Sequence, residues 1–464
     1  MTCEIVCESK EHAEAARRLC EAVRARGGRA LLAGGCVRDR LLRRPVKDLD
    51  IEVFGLTADA LEAAVGSLFR MDKVGQAFGV IRLKGLPIDV SLPRREARTG
   101  AGHRDFDVTT DPHMPMSEAA ARRDFTINAM SCDPLTGELF DFFNGQADLK
   151  RRILRHTSPR FSEDSLRVLR GMQFAARFEL QADPDTLALC RTLGPEALPV
   201  ERVGEEWSKL VLEGERPSCG LAFLRKCGWL RHYPELAALV GCAQEPRWHP
   251  EGDVWTHTLK CMDAFARERT GDREEDWIVG MATLCHDFGK PATTAESDGR
   301  LRSHGHDEAG VEPARAFLER LTRQPARIEA VLTLVRLHMR PADFHKNRAG
   351  DAAIRRLSAQ AQGLQRLVRL AAADLRGTGG CETAEDPAGQ WLTERAEALR
   401  VKDAAPVPLV LGRHLIALGF APGPSFGPIL RQCYEAQLDG RIANEQEGLA
   451  LAKELAEDLR SEPR

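Results

Sequence analysis

The sequence predicts an α+β protein, a mixed α/β head followed by a long all-helical body. Strand-like apolar runs ("ALLAGG", "LDIEVFG", "GVIRLKGLPIDVSL") are confined to the first 150 residues, whereas helical periodicity dominates the remainder. At 464 residues, the chain also exceeds the roughly 250–300 residues that one hydrophobic core serves.

Residues 11–26 repeat with a helical period and stop at Gly27-Gly28. "ALLAGG" reads as a buried strand breaking into a turn, and "VRDRLL" as a short helix. "LDIEVFG" is a second strand, and "GVIRLKGLPIDVSL" a pair of strands joined around Lys84-Gly85. The Pro- and Gly-rich stretch 232–252 marks a boundary, and 374–389 a weaker one.

Formal charge is −3, from 66 Lys and Arg against 69 Asp and Glu. A polyanionic partner must therefore meet a local patch rather than the whole surface. A hydrophobic share of 43% excludes a mostly disordered chain. The 13 cysteines form no CxxC pair and no regular disulfide framework, which suits a reducing, cytoplasmic setting. The N-terminal pattern is charged and helical, without the apolar region of a signal peptide. No run approaches the roughly 20 apolar residues needed to cross a bilayer, so no membrane partner is expected.

The stretch "LLAGGCVRDRLLRRPVKDLDIEVFG" (31–55) asks for more than a fold. Asp48 and Asp50 alternate along a strand and so project from one face. Two carboxylates that close raise each other's pKa unless a cation lies between them. Hard divalent cations such as Mg2+ take these ligands and keep positions for substrate phosphates. Gly34 and Gly35 let backbone amides approach a phosphate, Arg38 can neutralise its charge, and Asp39 holds the turn. Asp89, ending an alternating apolar run, is the candidate third carboxylate for a two-metal cage. A DxD or a Gly-Gly alone is common; the combined string is much more specific. It resembles the signature of the polymerase-β nucleotidyltransferase superfamily, and within it the tRNA nucleotidyltransferase/poly(A) polymerase family (class II).

Farther on, "EDSLRVLR" sets Asp164 and Arg167 three residues apart, one turn of a helix. A surface ion pair at this spacing is common and worth little. The pair has another use. Cytosine and adenine both show an amine donor beside a ring-nitrogen acceptor, which an aspartate and an arginine complement; uracil and guanine do not. "RRDFTINA" and "EDSLRVLR" resemble the family's second and EDxxR motifs. By that resemblance Arg123, Arg167 and Arg170 contact the nucleotide, Asp164 with Arg167 reads its base, and Asp124 couples Arg123 to the moving parts of the head. "FDFFNGQADLKRRILR" resembles the hinge motif, with Asn144 in place of a usual glycine.

A second constellation joins "HPEGDVWTHTLKCMD", "LCHDFGKP", "SHGHDEAG" and "RLAAADLRG". His257, His286, Asp287, His306 and Asp374 offer the mixed N and O donors of an open transition-metal or Mg2+ site. The pattern resembles an HD phosphohydrolase domain, as appended in one bacterial branch of the tRNA nucleotidyltransferases. The resemblance implies His257, His286, Asp287 and Asp374 as ligands to Ni2+, Mn2+ or Mg2+, and His304, His306 and His338 as an extension to a second metal.

The resemblance implies a polymerase-β-like head over 1–150, a helical neck and RNA-binding body over 151–245, an HD domain over 246–380 and a helical region over 381–464. It further implies CCA addition to tRNA from CTP and ATP, with phosphohydrolase activity on 2′,3′-cyclic phosphates or phosphomonoesters. Monomer and homodimer both remain open. Competing functions are a CC- or A-adding enzyme or a poly(A) polymerase on the same site, and, from another class, a phosphohydrolase whose head only binds RNA. Bacterial poly(A) polymerases carry a basic element after the catalytic strand; "VGQAFGVIRL" stands there instead.

Overall fold

The computed structural model describes residues 9–72, 80–98, 106–196, 198–380 and 383–461. The chain divides into two compact units, Met1–His232 and Tyr233–Arg464. Of "VGQAFGVIRL" (74–83), residues 74–79 lie outside the described residues.

In the first unit, α1 (Lys10–Ala25) buries Ala16, Leu19, Cys20 and Val23 on one face, and ends where Gly27 takes a φ of +80°. The strands β1 (Arg29–Ala33), β2 (Leu49–Phe54), β3 (Met71–Asp72), β4 (Val80–Leu83), β5 (Ile88–Ser91), β8 (Ser131–Cys132) and β9 (Leu139–Phe140) form one sheet in the order β3-β4-β5-β2-β1-β8-β9. β2 and β5 run parallel and the other pairs antiparallel. A parallel pair needs a crossover; here it carries the helix Ala58–Gly66 and the strands β3 and β4. β4 and β5 form the expected antiparallel pair, with Gly85 at a φ of +80° between them. Between β5 and β8, β6 (Arg94–Arg98) and β7 (Phe106–Thr110) make a separate antiparallel pair.

Beyond the sheet the unit becomes helical. The helix Leu166–Phe178 is buried along most of its length and packs against Val200–Glu213 and Pro217–Lys226. A Cβ at Gly220 would lie 2.5 Å from the Met172 carbonyl oxygen, so two of these helices touch backbone to backbone. Strand structure does not end at residue 150 as the sequence suggested. Ile153–Leu154 pairs with Gln181–Ala182, and Thr294–Ser297 with Arg300–Ser303. The second pair turns at Asp298-Gly299, both with positive φ, the Asp-Gly signal of a tight hairpin.

Among its described residues the second unit is helical apart from that hairpin and the connecting loops. Val254–Arg267, Arg273–Cys285 and Gln365–Gly377 pack on one another. Near the C-terminus, Val410, Leu415, Ile429, Cys433 and Ala452 form a small core of their own. Among the described residues no helix is long and apolar enough to cross a membrane.

Candidate functional sites

Asp48 lies immediately before β2 and Asp50 within it, flanking Leu49, which is 2% exposed. Burying Leu49 turns both aspartates outward on the opposite side of the strand. Asp50 is the register partner of Asp89 on β5. Burial raises the Asp50 carboxyl above its ordinary range; Arg123 opposes the shift, and Asp89, Asp48 and Glu52 add to it. Such crowding favours a cation. Arg82, across the ladder on β4, holds Asp89 through two hydrogen bonds of 2.9 Å. Glu52 escaped the sequence reading, although "DLDIE" places it two residues beyond Asp50 on the same face.

β1 runs into Gly34, whose φ is +78°, and the seven-residue helix Gly35–Leu41 follows. A Cβ at Gly34 would meet Arg123 Nη1 at 2.6 Å, a flexible side-chain end that can give way, so it is the positive φ that calls for glycine there. The Gly34 N–H donates to the Met130 carbonyl at 3.1 Å; it is committed to the fold rather than to a phosphate. Arg38 also departs from expectation. Its side chain is 5% exposed, and the guanidinium donates to Asp39 at 2.8 and 2.9 Å and to Asn128 Oδ1 at 2.6 Å and lies over the Phe178 ring at 4.4 Å. It is a support under the turn, with Asp39 as its partner. Arg123 is more open and donates to Glu52 Oε2 at 3.2 Å.

The structure places Asp164 and Arg167 otherwise than one helical turn apart. Asp164 precedes the helix Leu166–Phe178 and caps it, Oδ1 accepting from the Leu166 N–H at 3.0 Å. Its Oδ2 accepts from Arg202 Nη2 at 2.8 Å. Arg167 donates to the carbonyls of Arg160 at 2.8 Å and Arg122 at 2.7 Å. The two do not pair with each other; each is fixed separately, and Arg202 is the partner that sequence spacing missed. Asp124 pairs with Arg170 at 2.7 Å rather than with Arg123. Burial alone would raise its carboxyl, but Arg170, Asn128 and the Phe125 N–H together hold it below its ordinary value of 3.8.

In the second unit His257, His286 and Asp287 are almost fully buried. Asp374 approaches from the helix Gln365–Gly377, its Oδ1 2.9 Å from His257 Nε2 and 3.7 Å from His286 Nε2. Asp287 points Oδ2 toward His286 Nε2 at 3.3 Å and Oδ1 toward His306 Nε2 at 3.5 Å. His306 and His338 bring their Nε2 atoms within 3.1 Å. His286, His306 and His338 each bond through Nδ1 to the carbonyl three residues earlier, at 2.7–2.8 Å. A carbonyl only accepts, so Nδ1 carries a proton in each ring, and whenever the ring is neutral Nε2 offers a lone pair facing inward. His286 Nε2 and both Asp287 oxygens are buried without an aligned hydrogen bond. Burial, together with positive charge on His286 or His306, pushes His338 down to about 4, keeping it neutral.

These donors fit a cation pocket, and Asp287 stands between two groups of them. His304 is exposed and lines the cleft of about 360 Å³ beside His306 and Asp287, rather than joining a ligand group. Glu251 was missed, although "HPE" lies just upstream of His257. Its Oε1 takes Nδ1 of both His257 and His249 at 2.8 Å. Lys290, the last residue of "HDFGK", holds Asp287 Oδ2 at 2.7 Å.

Two family profiles match the chain: a poly A polymerase head domain over residues 30–155 and an HD domain over residues 254–373. A multifunctional CCA protein of Halorhodospira halophila is 37% identical over 416 residues, covering 86% of this chain and 94% of that one. One from Stenotrophomonas maltophilia is 36% identical over 381 residues, covering 79% and 90%. Among solved structures, the Bacillus stearothermophilus CCA-adding enzyme in complex with CTP superposes with a TM-score of 0.65 at 23% identity, over 98% of this chain and 99% of that one. The Thermotoga maritima CCA-adding enzyme complexed with tRNA gives 0.57 at 19%, over 97% and 96%; both likenesses concern the fold. A nucleotidyltransferase head and an HD domain on one chain, with relatives that match nearly end to end, give a single conclusion: the chain belongs to the multifunctional CCA protein family.

Proposed function

We propose that this protein adds C, C and A to tRNA 3′ ends from CTP and ATP without a nucleic-acid template. The observation that carries the reading is the convergence of Asp48, Asp50 and Asp89 on one face beside the Gly34–Gly35 turn. Asp48 and Asp50 would hold Mg2+, since their donors are hard oxygens. When bound, such an ion polarises the α-phosphate and makes the attacking hydroxyl more acidic. Asp89 would accept the proton of the RNA 3′-hydroxyl as that oxygen attacks the α-phosphate and pyrophosphate leaves. Arg123 and Arg170 supply positive charge for the nucleotide, and Asp164 with Arg167 reads its pairing edge. Arg202 orients Asp164, and the two carbonyls fix Arg167. A base lacking the amine would set a carbonyl oxygen against the Asp164 carboxylate, acceptor against acceptor. The helical segments of 151–245 would grip tRNA by its shape and phosphates.

The second unit supports a phosphohydrolase acting on 2′,3′-cyclic phosphates or phosphomonoesters at damaged tRNA ends. His257, His286, Asp287 and Asp374 would hold one divalent ion. Asp287 with His306 and His338 would hold a second, Ni2+, Mn2+ and Mg2+ being the candidates. Trp248, 64% exposed, lines the same cleft and offers a face on which a terminal base can stack. Nine described cysteines are free thiols, in keeping with a cytoplasmic setting, although Cys132 is disulfide-bonded.

Transcripts ending at the discriminator base, at C and at CC, each incubated with one labelled NTP, test the first activity. Stepwise C, C, A addition is expected. CC-only, A-only or repeated A addition would replace the reading with a sibling function, and no extension would leave the hydrolase alone. Hydrolysis of 2′,3′-cAMP with added Ni2+ or Mn2+ tests the second activity, which falls if the substrate stays intact.

A further inference from the structure

The HD pocket contains a side chain that the pattern of histidines and aspartates does not call for. Cys261 is fully buried and lies one helical turn after His257, on the same face of Val254–Arg267. Its Sγ is 3.3 Å from His257 Nε2, the atom that also faces Asp374 Oδ1 at 2.9 Å. His257, Cys261, His286 and Asp374 each present one donor atom, all within 4.8 Å of one another.

The other side of the His257 ring fixes what this cluster can be. Nδ1 faces the Glu251 carboxylate at 2.8 Å, and an ionised carboxylate only accepts, so Nδ1 carries the proton. In the neutral ring the Nε2 lone pair then faces the Asp374 carboxylate oxygen at 2.9 Å, with the Cys261 S–H as the one donor it could accept from. A divalent cation among the four atoms would take the nitrogen, oxygen and sulfur lone pairs together, in place of the protons that otherwise separate them. His286 Nε2, buried and without an aligned partner, points to the same place. The separation also suits a shared ion: a sulfur at about 2.3 Å and a nitrogen at about 2.1 Å from one metal lie about 3.1 Å apart at a right angle and about 3.6 Å apart at the tetrahedral angle, on either side of the 3.3 Å found. The sulfur has no room to turn away on one side, because a Cβ at Gly377 would lie 2.2 Å from it.

We propose that Cys261 Sγ is a direct ligand to the ion held by His257, His286 and Asp374, making this position a thiolate site that prefers Zn2+, Co2+ or Ni2+ over Mn2+ or Mg2+. Thiolates select softer cations, whereas Mn2+ and Mg2+ favour all-oxygen surroundings. Coordination releases the thiol proton to solvent. The inference rests on the proposal that this pocket binds metal, and it concerns the ligand set rather than the reaction.

The test is Co2+ titration into metal-stripped full-length protein, for the wild type, Cys261→Ser and Cys285→Ser, followed by absorption and calorimetry. The wild type and Cys285→Ser should show visible cobalt bands together with a near-ultraviolet thiolate-to-cobalt charge-transfer band. Cys261→Ser should keep bound cobalt but lose the charge-transfer band. Its Zn2+ affinity should fall at least about 10-fold, the lower bound seen for removing even an indirect metal partner, while its Mn2+ affinity changes little. Bound Co2+ without a charge-transfer band in the wild type would overturn the thiolate ligand and leave metal binding standing, as would a band that survives in Cys261→Ser. No Co2+ binding by the wild type would overturn both.

Discussion

Asp50 and Asp89 face each other as register partners on the parallel strands β2 and β5, and Asp48 joins them from the end of β2. A bound ion contributes several kcal/mol of charge stabilisation, and about 1.4 kcal/mol is tenfold in rate. Asp50→Asn should therefore slow nucleotide addition at least about 100-fold. Hydrolysis of 2′,3′-cAMP by the same protein should be untouched. Single-turnover extension of a transcript ending in CC measures the first, and product release from the cyclic nucleotide the second.

On the proposed reading, with Asp89 as the third carboxylate of the cage, Arg82 would compete with a metal for it. The pair is largely exposed, and such pairs are worth about 0–1 kcal/mol. Arg82→Gln should thus lower the Mg2+ concentration needed for half-maximal extension, by no more than about fivefold. A Mg2+ titration at saturating CTP reads the shift, and an increased Mg2+ requirement would contradict the competition.

Separate anchoring of Asp164 and Arg167 sets the order of their variants. Asp164→Ala and Arg167→Ala should both narrow the preference for CTP and ATP over UTP and GTP. Arg202→Ala, which loosens Asp164 without removing it, should narrow it less. Ratios of incorporation with all four labelled NTPs measure this, and unchanged ratios in Asp164→Ala would remove that residue from base reading.

Glu251 is buried, which by itself would raise its carboxyl, but hydrogen bonds from His257, the Gly379 N–H and His249 bring it down to about 2. It orients His257 as a partner outside the ligand set. Glu251→Gln should weaken Ni2+ binding by about 10–100-fold, seen by calorimetry, and leave nucleotide addition intact.

The Asp124–Arg170 pair predicts a pH dependence of stability. The folded carboxyl titrates below 3.8, so the folded state binds fewer protons than the unfolded one. Its contribution is complete above the unfolded value and disappears as pH falls through the folded one. Asp124→Asn should cost about 2 kcal/mol near pH 7, the scale of a hydrogen bond to a charged group. The gap from wild type should close as the pH drops below about 4. Urea unfolding at a series of pH values measures it.

Period and punctuation made much of the architecture legible before any coordinates. The turn at Gly34, the strand carrying Asp50, the paired strands around Gly85 and the helical remainder all follow from local rules. What escaped depends on partners distant in the chain or on where a helix begins. Asp164 and Arg167 look like a one-turn pair only if the helix already includes Asp164; it starts at Leu166, and the aspartate caps it. Arg202 is 38 residues from Asp164, beyond any local pattern. Arg38 matched a motif, yet its neighbours Asn128 and Phe178 turn it into a support. Other signals were present but unread: Glu52 in "DLDIE", Cys261 one turn after His257, and the Asp298-Gly299 turn.

His286, His306 and His338 share one wiring scheme, each ring tethered to the carbonyl three residues before it. Orientation is therefore set within each short segment, and none of the three rings depends on another to face inward. Loss of one leaves the other two aimed as before, so damage to the pocket should be graded, one donor at a time. Little reordering is needed when an ion arrives, and uptake then tracks delivery of the ion more than rearrangement of the protein.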